Sequence, residues 1–116
     1  MYTVLCYSKC STCQKALKYL DSKQIAYQKQ DLKEDKPSYE LLKELVSRSN
    51  LDINKFFNTS GLRYRELDLK NKLKTMSDEE KLQLLASDGM LVKRPIVFDE
   101  HVVIVGKKEA AYDELG

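Results

Sequence analysis

Three cysteines cluster near the N-terminus of this 116-residue chain, within the segment Cys6-Tyr7-Ser8-Lys9-Cys10-Ser11-Thr12-Cys13. The spacing C-x3-C-x2-C is compatible with an iron–sulfur cluster, a zinc site or thiol–disulfide exchange. A cluster is disfavoured because radical enzymes that use this pattern need a much larger barrel, and because Cys6 belongs to a predicted buried strand. A structural zinc site needs four nitrogen or sulfur ligands, and the chain adds only His101 in a distant turn. We therefore predict no metal centre.

The pair Cys10-x-x-Cys13 is sufficient for redox chemistry, because it lies where a strand and a loop lead into a predicted helix. Two thiols three residues apart in a first helical turn can close a small disulfide. The free backbone amides and the positive end of the helix dipole favour the thiolate of the first cysteine. Cys10 is then the nucleophile, and the deeper Cys13 resolves a mixed disulfide.

Basic and polar residues around the pair are expected to support it. Lys9 and Lys15 add positive charge, while Ser11 and Thr12 supply polar residues for the turn and the helix start. The sequence also leaves open that both cysteines of the pair are buried apolar residues without chemistry. For Cys6, alone within a strand, packing is the favoured interpretation.

The composition is that of an ordinary globular domain, with 42% hydrophobic and 33% charged residues and a net charge of +2. Because the charge is nearly balanced, we expect no direct contact with nucleic acid and no attraction to an anionic membrane. The apolar runs are too short to cross a bilayer, and the first residues lack the features of a secretory signal. These features predict a cytoplasmic protein whose thiols are kept reduced.

The elements around the cysteine pair form a predicted βαβ unit. β-branched and aromatic residues over positions 2–7 indicate a strand covered on both faces. Apolar residues at helical spacing over 16–20 indicate a helix that ends near 21–24, and a weaker strand follows over 25–30. This order favours a parallel strand pair with a right-handed crossover.

A helical block and then a hairpin are predicted for the remainder. An amphipathic helix begins at Ser38 and ends near Asn50, and Ser77 opens a capping box before another helix. The other predicted elements are brief helices over 52–73, two strands of an antiparallel hairpin over 95–98 and 102–105, and a closing helix over 109–115. The sequence thus predicts one α/β domain over residues 1–116, with a small mixed sheet and a helical insert over about 38–90.

Four motifs along the chain carry a further signal. They are the segment 7–13, Phe56-Phe57-Asn58-Thr59-Ser60-Gly61, Tyr64-Arg65-Glu66-Leu67 and Leu91-Val92-Lys93-Arg94-Pro95-Ile96. In their order, and in their coverage of nearly the whole chain, they resemble the arsenate reductase (ArsC)/Spx family of thioredoxin-like proteins. The resemblance implies a thioredoxin-like fold with Cys10 as nucleophile. It also implies that Arg94-Pro95 places a cis proline and a guanidinium beside that thiol.

The residue chemistry of Arg94-Pro95 agrees with this role but does not require it. A guanidinium can hold an oxyanion through two hydrogen bonds and can lower the pKa of a thiol. A cis bond before proline occurs in roughly 5–6% of cases. A trans proline that opens an edge strand is therefore left open by the residues alone.

Two departures from the family bear on the substrate. Its oxyanion-reducing members resemble one another in two further arginines, where this chain has Asn58-Thr59 and Gly106-Lys107. Whether Arg63 or Arg65 substitutes is left open, and we expect little arsenate reductase activity. Arsenate reductases of this type use external glutathione or glutaredoxin, whereas Cys13 provides an internal resolving thiol as in Spx-like members.

The sequence therefore predicts an oxidoreductase-like protein that exchanges thiols and disulfides with a small thiol or a protein disulfide. It is expected to need no bound cofactor, and glutathione, glutaredoxin or thioredoxin would serve as external donor. The alternative is a redox-sensitive regulator of the Spx type, which binds the C-terminal domain of the RNA polymerase α subunit. In either case we expect a monomer.

Overall fold

A computed structural model describes residues 1–115 of the chain, and over that range it contains four strands and six α-helices. The strands are β1 (Tyr2–Cys6), β2 (Tyr27–Asp31), β3 (Ile96–Phe98) and β4 (Val103–Val105). The α-helices are α1 (Ser11–Ser22), α2 (Tyr39–Ser49), α3 (Leu62–Glu66), α4 (Leu69–Lys72), α5 (Asp78–Ser87) and α6 (Glu109–Tyr112). Short 3-10 turns cover Ile53–Phe56, Leu73–Thr75 and Gly89–Leu91. The predicted mixed α/β class is confirmed.

Over the same range, no helix combines the length and the apolar character needed to cross a membrane.

The strands form one mixed sheet in the order β2-β1-β3-β4. β1 and β2 are parallel, with Tyr2 opposite Tyr27, as the βαβ pattern predicts. β3 is antiparallel to both β1 and β4, with Leu5 of β1 opposite Ile96, so the predicted hairpin is present. Because β1 and β3 are antiparallel neighbours, the end of β1 and the start of β3 lie at the same edge of the sheet.

The apolar stripe of α1 packs on this sheet. The buried residues of this core are Val4 and Cys6 from β1, Cys13, Ala16, Leu17 and Leu20 from α1, Val97 from β3, and Tyr112 from α6. Burying each large aliphatic side chain contributes about 1.5–3 kcal/mol. The hydroxyl of Tyr112 donates to the carbonyl of Gly106 at 3.0 Å, which ties α6 to the segment after β4. The second cysteine of the pair therefore belongs to the core.

The predicted start of β2 at residue 25 was wrong, since the strand begins at Tyr27. The intervening residues close the end of α1. Gln24 has a φ of 58°, a left-handed conformation that turns the chain, and the N–H of Ile25 donates to the carbonyl of Leu20 at 3.1 Å. The apolar residues before Tyr27 therefore complete the helix end before the strand can begin.

The closing helix is shorter than the predicted range 109–115. α6 ends at Tyr112. The N–H of Asp113 still donates to the carbonyl of Glu109, four residues back, and the two amides after it donate to carbonyls three residues back. The N–H of Glu114 donates to Ala111 at 3.2 Å, and the N–H of Leu115 donates to Tyr112 at 3.0 Å. Bonds of this kind tighten the end of a helix into a 3-10 turn.

Two compact units make up the structure, residues 1–31 with 94–115 and residues 32–93. In the second unit, Ser38 is the N-cap of α2, and its Oγ accepts the N–H of Leu41 at 3.1 Å. Asn50 is the C-cap and has a φ of 58°. Both ends of this helix agree with the sequence prediction.

α5 begins with the predicted capping box. The Oγ of Ser77 accepts the N–H of Glu80 at 3.1 Å, and the Glu80 carboxylate accepts the N–H of Ser77 at 2.9 Å.

Beyond α5, a Cβ at Gly89 would lie 1.8 Å from the carbonyl oxygen of Leu32, so this close approach requires glycine. The organisation as one domain with an insert over about 38–90 remains a prediction.

Candidate active site

The cysteine pair begins α1, directly after β1. Cys10 is the N-cap of α1, with extended backbone (φ −93°, ψ 118°), and its carbonyl accepts the N–H of Gln14 at 3.1 Å. The turn that follows β1 is closed by the N–H of Cys10, which donates to the carbonyl of Tyr7 at 3.0 Å. The side-chain amide of Gln14 donates to the carbonyl of Ser8 at 2.8 Å and braces the same turn. The first thiol is thereby held at the helix N-terminus, as predicted.

The two thiols of the pair differ in exposure. Cys13 is fully buried, whereas Cys10 is half-buried. Both are free thiols, as is Cys6, within residues 1–115. The backbone N–H of Tyr7 donates to the Sγ of Cys13 at 3.5 Å. The deeper position predicted for the second thiol is confirmed.

The pKa values of the two thiols shift in opposite directions. Burial raises the pKa of Cys13 to about 12, and the neighbouring Cys10 adds to the rise against the opposing effect of the Tyr7 N–H. Burial also pushes the pKa of Cys10 upward. The backbone N–H and the thiol of Cys13, together with the guanidinium of Arg94, outweigh burial and bring that pKa below its usual range. In such a pair the proton stays on Cys13, whose S–H donates to the thiolate of Cys10.

Arg94 reaches Cys10 from the start of β3. The Arg94-Pro95 bond is cis, as the family resemblance implied. Pro95 is buried, and its carbonyl accepts the N–H of Gly106 at 2.7 Å. Because β3 pairs with β1, the two residues before β3, Arg94 and Pro95, lie beside the turn after β1. The Arg94 guanidinium hydrogen-bonds to Cys10, and its central carbon lies 5.3 Å from the centre of the Tyr7 ring.

The other predicted site residues surround this turn at the surface. Lys9, Ser11 and Thr12 are exposed, and so is Lys15. The leading influences on the pKa of the first thiol are burial, the second thiol residue and Arg94, and the nearby lysines are not among them. The main positive charge at the site therefore comes from a residue far away in the sequence. The roles of these exposed residues remain predictions.

Cys6 lies in the core beneath α1 and is 5% exposed. Burial raises the pKa of its thiol, with Lys29 opposing the rise and Asp31 and Cys10 adding to it. A buried thiol with a raised pKa is a poor nucleophile, which agrees with the packing interpretation. In the part of the chain that the structure describes, no three His, Cys, Asp or Glu side chains are grouped as metal ligands.

Sequence reasoning missed two residues of the site, Tyr7 and Gln14. Tyr7 offers its N–H to Cys13 and its ring to Arg94, and Gln14 braces the turn. The available signal for Tyr7 is its position, an aromatic residue between β1 and the polar turn that leads to the first thiol. No spacing or composition signal indicates Gln14.

The chain combines a mixed four-stranded sheet with a first helix, α1, that opens with a C-x-x-C pair. This combination defines a thioredoxin-like protein. The chain belongs to the ArsC family, whose sequence profile matches residues 5–115. An ArsC family related protein from Bacteroides fragilis is 46% identical, with a TM-score of 0.96 and coverage of 99% of this chain and 97% of that chain. A possible arsenate reductase from Streptococcus mutans UA159 is 43% identical, with a TM-score of 0.86 and coverage of 93% and 92%.

Sequence relatives extend the comparison. The uncharacterized protein YusI of Bacillus subtilis (strain 168) is 52% identical over 108 residues, which are 93% of this chain and 92% of the relative. The regulatory protein MgsR of the same strain is 28% identical over 104 residues, which are 90% of this chain and 81% of the relative. The predicted resemblance to the ArsC/Spx family is confirmed.

Proposed function

We propose that this chain is a thiol–disulfide oxidoreductase in which Cys10 is the nucleophile and Cys13 is the resolving thiol. The observation that carries the proposal is the asymmetry of the pair. A half-buried thiol with a lowered pKa accepts a hydrogen bond from a fully buried thiol whose pKa is raised to about 12. One cysteine is thus prepared to attack, and the other holds a proton until it is needed.

The reaction passes two electrons to a disulfide substrate. The Cys10 thiolate attacks one substrate sulfur, a mixed disulfide forms, and the other sulfur leaves as a thiolate that takes up a proton. Once Cys10 has lost its negative charge, its contribution to the raised pKa of Cys13 disappears. Cys13 then gives up its proton and attacks the Sγ of Cys10, which releases the second substrate thiol and leaves a Cys10–Cys13 disulfide. An external thiol donor, such as glutathione, glutaredoxin or thioredoxin, reduces that disulfide again.

The arginine content of the site argues for sulfur substrates over arsenate. An arsenate dianion must approach a thiolate of like charge, and several guanidiniums are needed to offset that repulsion. Arg94 is the guanidinium that acts on Cys10. Arg63 is engaged elsewhere, because it pairs with Asp88 at 3.0 Å and with Glu66 at 3.8 Å. Lys107 pairs with Glu109 at 2.6 Å and has no fork that could bind an oxyanion through two bonds.

A redox-sensitive regulator is the second candidate. It is favoured by the relative MgsR, which is named a regulatory protein, and by the internal C-x-x-C pair that the Spx resemblance shares. In that case the Cys10–Cys13 disulfide is a signal, and the partner is the C-terminal domain of the RNA polymerase α subunit. For either function we propose a cytoplasmic monomer.

Mass spectrometry of the alkylated protein tests the redox pair. After air oxidation we expect one internal disulfide between Cys10 and Cys13, and at neutral pH the reduced protein should label at Cys10 well before Cys6. A Cys13→Ser variant should lose the internal disulfide and accumulate mixed disulfides on Cys10. A Cys6→Ser variant is the matched control and should behave as the wild type. Equal labelling of Cys6 and Cys10, or an internal disulfide that survives Cys13→Ser, contradicts the proposal.

Activity and binding assays separate the candidates. We expect reduction of a small disulfide, and little arsenate turnover with glutathione and glutaredoxin supplied. Saturable arsenate turnover would overturn the substrate argument. Recovery of RNA polymerase from a bacterial lysate by the oxidised but not the reduced chain, or the reverse, would favour the regulator.

A further inference from the structure

We propose that Tyr7 is a positioning residue for Cys10, because its ring holds the Arg94 guanidinium against the thiol. The inference rests on the proposed function in taking Cys10 as the nucleophile. It adds a residue to which neither the sequence patterns nor the family resemblance gives a role.

The geometry of the contact is that of a cation resting on an aromatic face. The central carbon of the Arg94 guanidinium lies 5.3 Å from the centre of the Tyr7 ring, inside the range of about 6 Å at which a ring attracts a cation. The same guanidinium hydrogen-bonds to Cys10. The guanidinium of Arg94 therefore contacts both the Tyr7 ring and the Cys10 thiol.

The ring contact adds to the hold on Arg94, because a sulfur atom by itself does not fix the plane of a guanidinium. Carboxylates and phosphates match the two-pronged geometry of arginine, whereas a single thiolate offers only one acceptor atom. The long side chain of an arginine otherwise samples many rotamers, and each is lost at an entropic cost. A ring that restricts those rotamers keeps the charge near Cys10 for a larger fraction of the time.

The backbone of Tyr7 makes the ring a fixed platform. Its carbonyl accepts the N–H of Cys10 at 3.0 Å, and its N–H donates to the Sγ of Cys13 at 3.5 Å. Both bonds use main-chain atoms, so they persist when the side chain is changed. Substituting the side chain of Tyr7 therefore tests the contact with Arg94 separately from the contacts with the thiols.

The experiment is the pH dependence of the alkylation rate of Cys10, measured with iodoacetamide in a Cys6→Ser background. For Tyr7→Leu we expect the profile to move to higher pH. On the rising limb of the profile, below the Cys10 pKa, the rate should be about two- to fivefold lower, the size of an exposed cation–π contact. The plateau rate at high pH should not fall, because a thiolate of higher pKa is at least as nucleophilic. Tyr7→Phe should keep the wild-type profile, since the ring is retained.

A double variant shows whether Tyr7 acts through Arg94. In an Arg94→Gln background, Tyr7→Leu should have no further effect on the profile. Tyr19→Leu is the matched control, because the Tyr19 ring also faces a cation, Lys23, at 5.6 Å, and it lies more than two turns along α1. It should leave the Cys10 profile in place. Tyr7→Met serves the same comparison if Tyr7→Leu does not fold.

Two results would overturn the inference: an unshifted profile in a folded Tyr7→Leu or Tyr7→Met variant, or a shift of the same size with and without Arg94. Failure of the proposed function looks different. It is the absence of a Cys10–Cys13 disulfide in the wild type, and the alkylation profile still reports on Tyr7 and Arg94 in that case.

Discussion

The starts of α1 and α5 have the same backbone geometry but serve different purposes. Ser77 and Cys10 both sit at an N-cap with extended backbone. At α5, the side chains of Ser77 and Glu80 satisfy each other's amides. At α1, within the described structure, no side chain makes a capping hydrogen bond of standard geometry. The amide of Cys13 instead lowers the pKa of the Cys10 thiol.

This difference shows how one chain separates stability from reactivity. A serine or aspartate at an N-cap contributes roughly 1 kcal/mol because its oxygen accepts an orphan amide. A neutral thiol is a weak acceptor, so Cys10 in its protonated form gives up most of that stabilisation. In return, the free amides act on the thiolate, which is the reactive species.

The largest expected effect comes from making the start of α1 resemble the start of α5. Cys10→Ser places a capping hydroxyl at the same position as the thiol. We expect complete loss of disulfide exchange. At acid pH, where the wild-type thiol is protonated, we also expect a gain of about 0.5–1 kcal/mol in the free energy of unfolding. Exchange with a chromogenic disulfide and urea denaturation measure the two quantities. A Cys10→Ala variant is the control, because it should lose exchange without gaining stability. Equal stability of the two variants would break the comparison.

The reverse change weakens α5 and should leave the chemistry intact. Ser77→Ala removes the capping oxygen, and we expect a loss of about 1 kcal/mol in the free energy of unfolding. The alkylation rate of Cys10 in the folded protein should equal that of the wild type. Glu80→Gln keeps an acceptor for the Ser77 amide and should lose less. A changed Cys10 rate in Ser77→Ala would show that the two helix starts are not independent.

The smallest expected effect is a pH dependence of the free energy of unfolding that is caused by the ionisation of Cys10. Because its pKa is lower in the folded chain than in the unfolded chain, the thiolate stabilises the folded state at a pH above the unfolded value of about 8.5. That stabilisation is lost as the pH falls through the folded pKa. The difference in unfolding free energy between wild type and Cys10→Ala should therefore grow from acid toward pH 8.5. A difference independent of pH would mean that the amides do not act on the thiolate.

Local signals predicted much of this molecule. The C-x-x-C pair, the caps at Ser38 and Ser77 and the closing hairpin are each encoded within a few residues, and the structure has them in place. The sequence prediction placed the start of β2 too early, because the left-handed turn is formed by Gln24 and not by a glycine or asparagine, the residues that usually indicate such a turn.

Contacts between distant segments were harder to predict. The contact between the Arg94 guanidinium and Cys10 was implied only by the family resemblance. The residues alone did not require it, since they also allowed a trans bond before Pro95. The ring of Tyr7 under Arg94 was missed, since nothing in a short window connects position 7 with position 94. The roles of the predicted site residues remain predictions that the experiments above can test.

The pairing of β1 with β3 has a consequence for the order in which the protein is made. Cys10 leaves the ribosome early, whereas Arg94 and the strand that aligns it are translated only after all of α2 to α5. Until then the thiol has neither its guanidinium nor the neighbouring strand beside it. A nascent chain that has not reached β3 therefore carries a Cys10 thiol without its guanidinium, and the thiol acquires that partner only once Arg94 has been translated.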